Sequence, residues 1–162
     1  MDNNESKVME EGATLTENVE KIVEKFFEDR TDTFTRPEEK AIFMVGALVN
    51  YLLYVQRDER GIKWGEEPFR SKLYGLILDE AKIKKIFGKA VGKLAEYRRS
   101  YPTLEKIAGK YLSEAGTEWK LSKDEISYYF TLGLTLGGIF RVKEKKITKK
   151  EVMENECKDS VE

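Results

Sequence analysis

The chain has 162 residues, 18.8 kDa, of which 40% are hydrophobic and 36% charged, the size of one domain that closes a core without staples. Its 29 basic and 30 acidic side chains nearly cancel, so net charge names no partner class. Histidine is absent and Cys157 is the one cysteine, which removes the usual zinc ligands, any intrachain disulfide and most acid–base catalysis.

Residues 1–13 lack periodicity, a basic n-region and an apolar h-region, so the expectation is a flexible acidic leader and no signal peptide. Thr14 to Glu17 has the spacing of a capping box ahead of Val19, Ile22, Val23, Phe26 and Phe27, which predicts a first amphipathic helix. The polar stretch Thr31 to Arg36 ends it. Pro37, Glu38 and Glu39 then suit the first turn of a second helix running to Gln56.

Ala41 to Val55 is apolar apart from Gly46 and Asn50. At that length the run falls short of the about 20 residues that a membrane span needs, so it reads as the bundle's central helix. Gly46 permits close approach of a neighbouring helix, and Asn50 requires a hydrogen-bond partner if enclosed. Arg57 to Pro68, with Gly61 and Gly65, reads as a connection in which Trp64 caps the end of the core. A base-stacking role is the alternative for that tryptophan. A short helix is expected over Phe69 to Leu78.

Asp79 caps the next helix, which is expected to end at Tyr101-Pro102. At 100° per residue, Ile83, Ile86, Phe87, Ala90, Val91, Leu94 and Tyr97 fill an arc of roughly 140°, while Lys82, Lys85, Lys89 and Lys93 fall within about 80° on a separate arc. Gly88 and Gly92 lie beside the lysines. Thr103 opens a helix that stops near Gly116, and Ser122 with Glu125 forms a capping box for a last one through Phe140. Its Gly133 and Gly137 permit close helix contact, within the chain or between copies. Residues 142–162 are expected to be a charged tail, frayed or weakly helical, basic at first and then acidic in sequence. The expected fold is all-α, a single compact helical bundle of about six helices over residues 14–141, with no internal repeat.

The charge is unevenly spread. Residues 1–35 carry four basic and ten acidic side chains, whereas residues 82–110 carry nine basic and two acidic. The candidate nucleic-acid-binding residues are therefore Lys82, Lys85, Lys89 and Lys93, continued by Arg98, Arg99, Lys106 and Lys110. Lysines on the solvent side of a helix are also ordinary, and the same face suits an acidic protein surface, so a protein-binding scaffold or adaptor is the alternative. No Gly-rich phosphate loop, serine-nucleophile motif or Asp-rich metal loop occurs, and neither catalysis, a metal nor a cofactor is expected.

Four stretches, taken in order, carry a resemblance to a known family. They are Glu39 to Val49; Pro68-Phe69 with Lys72 to Leu76; Ile86-Phe87 with Lys93 to Tyr97; and Leu121-Ser122 with Glu125 to Gly133. Together, from about Phe34 to Phe140, they resemble the C-terminal helical domain of the type I-B CRISPR large subunit, which is also made separately as the small subunit of the Cascade surveillance complex. The resemblance implies a cytoplasmic, non-catalytic subunit in antiviral defence. Its partners would be the Cascade backbone and large subunits, further copies of itself, and the backbones of guide RNA and target DNA. It would stabilise the guide–target duplex and displaced strand, with sequence read by base pairing. The methionine at position 1 is expected of a separately made small subunit.

Overall fold

Six helices form between residues 18 and 140, the residues that this computed structural model describes, and no strand occurs among them. They are α1 (residues 18–28), α2 (Pro37–Arg60), α3 (Pro68–Ser71), α4 (Glu80–Glu96), α5 (Pro102–Ala115) and α6 (Lys123–Leu136). The fold is the expected all-α bundle. The Thr14–Glu17 box, the leader and the tail lie outside the described residues.

α2 is the axle. Every residue from Ala41 to Val49 is buried, and α3, α4, α5 and α6 all pack on it. Its first turn is fixed by Glu39, whose Oε1 accepts from the N–H of Arg36 at 2.7 Å, the N–H of Thr35 at 2.9 Å and the Thr35 hydroxyl at 3.1 Å. A buried carboxylate at the third helical position thus reaches back to satisfy the N–H groups that lead into α2, the return half of a capping box. The helix continues to Arg60, beyond the expected Gln56, because Arg57 and Arg60 suit a helix C-terminus and Gly61, at φ 61°, is the first residue able to turn left-handed.

The backbones of α2 and α6 nearly touch. A methyl group on Gly133 would lie 2.9 Å from the Gly46 Cα and the Ala47 nitrogen, and one on Gly137 would lie 2.6 Å from the Ala47 Cα. The small residues singled out in the sequence therefore meet each other within one chain. One turn further along α2, Asn50 Nδ2 donates to the Leu134 carbonyl at 2.7 Å. Beside this crossing Phe26 stacks on Phe43 at 4.8 Å between centroids, Phe27 meets Tyr111 at 5.3 Å, and Phe34 and Phe140 complete an aromatic core.

Three further boundaries differ from expectation. The helix expected over Phe69 to Leu78 is the single turn Pro68–Ser71. Gly75, at φ 75°, turns the chain after it and leaves Leu76 and Ile77 exposed. α4 is capped by Asp79, which accepts the Lys82 N–H at 2.8 Å, but it ends at Glu96, and Arg98 turns left-handed at φ 55°. The Ser122–Glu125 capping box forms as expected, while α6 ends at Leu136 and a turn at Gly137 precedes the helical residues 138–140.

Candidate nucleic-acid interface

α4 divides inside from outside as its sequence pattern predicts. Ile83, Ile86, Ala90 and Leu94 are buried, with Phe87, Val91 and Tyr97 half-buried beside them. On the outer side Lys85 and Lys89 are exposed and have no hydrogen-bond or ion-pair partner among the described residues. Gly88 and Gly92 are exposed next to them, with open space where a Cβ would stand. This is a flat strip with two free ammonium groups at its edge, open to an extended anion.

The other candidates are placed differently. Lys82 Nζ donates to the Ile77 carbonyl at 2.8 Å, and Lys93 pairs with Glu96 at 3.1 Å. Arg98 is exposed on the turn after α4, so it is off the helical stripe. Arg99 Nη1 lies 3.0 Å from Asp58 and 2.7 Å from Glu59, while its carbonyl accepts from the Tyr51 hydroxyl at 3.1 Å. Burial disfavours the Arg99 charge, but these two carboxylates outweigh it and hold the guanidinium firmly protonated. It clamps the turn to the end of α2. Lys106 and Lys110 line a cleft of about 140 Å³ with Glu20 and Glu24 of α1. Desolvation, with those acids and Glu114 nearby, pushes the neighbouring Tyr111 phenol up to about 12.

A second exposed cluster was not legible as one. Trp64 is 76% exposed, which corrects the expectation that it caps the core. Arg70 lies over its ring, 5.0 Å from the centroid. Tyr74, 70% exposed, is within electrostatic reach of Arg70, and Leu76 and Ile77 are exposed nearby in sequence. The connection is anchored from beneath by Glu67, whose fully buried side chain forms ion pairs with Arg57 and with Arg70, the latter at 2.9 Å. Burial alone would raise the Glu67 pKa, but the hydrogen bonds from Arg70 and Arg57 win and hold it at about 2. The Phe69 N–H donates to the buried Gln56 Oε1 at 2.9 Å, and Phe69 is itself buried. Glycines and charges around Trp64 masked this arrangement, because a loop carries no periodicity.

On α6, Tyr128, Leu132 and Leu136 line an open groove with Ser127, Thr131 and Thr135. Trp64, Ile77, Tyr128 and Ile139 are large hydrophobic side chains left exposed on the bundle. Among the described residues no three His, Cys, Asp or Glu side chains converge as metal ligands, and no helix is long and apolar enough to cross a membrane.

These features define an all-α bundle domain with a lysine-bearing outer helix. Over residues 1–148 the chain matches the family described as the C-terminal domain of CRISPR-associated protein TM1802, and it belongs to that family. The match includes the acidic leader, which lay outside the stretches that carried the resemblance. Membership places the domain in CRISPR defence. No curated protein and no solved structure matches the chain significantly.

Proposed function

We propose that this chain is the non-catalytic small subunit of a type I-B CRISPR RNA-guided surveillance complex, and that the outer face of α4 holds a nucleic-acid backbone without reading its sequence. The observation that carries the reading is the strip of Lys85, Gly88, Lys89 and Gly92, exposed and without internal partners. Lysine ammonium groups attract phosphates of any sequence and release counterions, whereas bidentate recognition of bases would call for Arg, Asn or Gln. Its partners are the backbone and large subunits of the complex, further copies of the chain, and guide RNA and target DNA. Sequence discrimination is left to the guide.

The test is reconstitution of the complex with the K85Q/K89Q double variant, measuring target-DNA affinity across a salt series. Two lost phosphate contacts lower the slope of log K against log salt by about 1.8 on duplex or about 1.4 on a single strand for each copy engaged. Across a fourfold salt change that is roughly a tenfold smaller loss of affinity. Parallel lines for parent and variant would sink the assignment of this face. The protein-binding adaptor is favoured by one observation, the apolar groove on α6. Under that reading the variant incorporates poorly and DNA affinity follows incorporation alone.

A further inference from the structure

The segment between α2 and α4 has an unusual division of its side chains. It buries a carboxylate, Glu67, and leaves the largest aromatic, Trp64, in water. The reverse would be expected of a connection shaped only by its own burial. Glu67 neutralises one of the two guanidinium groups that it holds, so the Arg57–Glu67–Arg70 cluster keeps a net positive charge. Arg70 is fixed over one face of the Trp64 indole, 5.0 Å from its centroid, and the exposed Tyr74 is within electrostatic reach of the same Arg70. Lys63 and Lys72 are exposed on the same segment. The bond from Lys82 Nζ to the Ile77 carbonyl joins the segment to the start of the α4 stripe.

We propose that Trp64, Arg70 and Tyr74 form a stacking platform for unpaired bases of a single-stranded nucleic acid whose phosphates continue along the lysines of α4. The proposal rests on the reading that this chain touches nucleic acid and adds a second mode of contact to it. Aromatic rings accept any base by its π-face, and an arginine plane beside them supplies both stacking and phosphate attraction. A duplex keeps its bases stacked on one another, so the platform selects single strands. Positive charge beside the rings favours a polyanion over an apolar protein surface. The anchorage by Glu67 and by the Gln56–Phe69 bond holds Arg70 in place over the Trp64 ring before the ligand arrives.

The chain has two tryptophans, so Trp119→Phe leaves Trp64 as the single fluorescent reporter in the full-length protein. An oligothymidylate titrated at low salt is expected to quench Trp64, and an abasic oligomer of equal length and charge is not. Trp64→Leu should weaken oligothymidylate binding roughly 5- to 150-fold per base unstacked, leave abasic binding unchanged, and be largely rescued by Trp64→Phe. Tyr74→Leu should act in the same sense. Absence of quenching, or equal losses for both oligomers, would overturn the platform. So would Trp64→Leu or Tyr74→Leu variants that bind both oligomers like the parent but fail to join the assembled complex, because the surface would then dock protein. Failure of the α4 reading is separately visible, as K85Q/K89Q would leave abasic binding intact while thymidylate-specific quenching persisted.

Discussion

Glu67→Gln separates the anchorage of the Trp64 segment from general surface electrostatics, because its effect has a defined size and a defined pH dependence. In the folded protein the carboxyl is held at about 2 against an ordinary 4.5. At about 1.4 kcal/mol per pH unit, that gap corresponds to about 3 kcal/mol of stability at neutral pH. Arg57 and Arg70 keep 22% and 21% of their side-chain surface in water, so solvent recovers part of the interaction and the expected loss is about 2 to 3 kcal/mol. Protons bind the unfolded carboxylate more tightly. The contribution is therefore complete above pH 4.5, declines as pH falls from 4.5, and has vanished below about 2. Urea unfolding of parent and variant, followed by circular dichroism at pH 7 and at steps down to pH 2, measures the difference directly. Other carboxylates, including Glu39 and Glu80, titrate in both proteins and cancel. A loss under about 0.5 kcal/mol at pH 7, the range of ordinary surface substitutions, or a gap that stays constant down to pH 2, would refute the argument.

Two further substitutions test the frame. Gly133→Ala should destabilise by about 1 to 3 kcal/mol, since the added methyl meets the α2 backbone at Gly46 and Ala47, where no flexible side-chain end can yield; a thermal midpoint equal to the parent's would contradict the close crossing. Asp79→Ala removes the acceptor of the Lys82 N–H and should cost about 1 kcal/mol, with faster amide exchange in the first turn of α4 as the accompanying readout.

Much of the fold was legible because burial writes itself as period. The inward face of α4, the all-round burial of α2 and the Ser122–Glu125 box follow from spacing and capping chemistry alone. Errors gathered where a single backbone conformation decides. Gly75 and Arg98 in left-handed conformations cut two helices short, and nothing in local composition distinguishes Arg98 from a residue that continues its helix. The candidate site was half legible for the same reason. Angular position placed Lys85 and Lys89 on the open side of α4. Whether a cation is free depends on residues distant in the chain, such as Asp58 and Glu59 for Arg99.

Asn50 shows how far a local requirement can specify a distant contact. An amide in the middle of an apolar helix demands a partner, and that much is local. Which partner it finds depends on the glycines. Gly46, Gly133 and Gly137 bring the two backbones close enough for a short side chain to span the gap. Leu134 lies in the last turn of α6, where helix geometry leaves carbonyls without an intrahelical donor. Asn50 Nδ2 supplies one from across the interface. The crossing and the amide are therefore one device: widening it by adding a methyl at Gly133 would strain the backbone contact and would also draw Asn50 away from Leu134. The loss then includes the bond from the half-buried Asn50 amide and a helix-end carbonyl left without that donor, and a cost near the upper end of the overpacking range is the consequence.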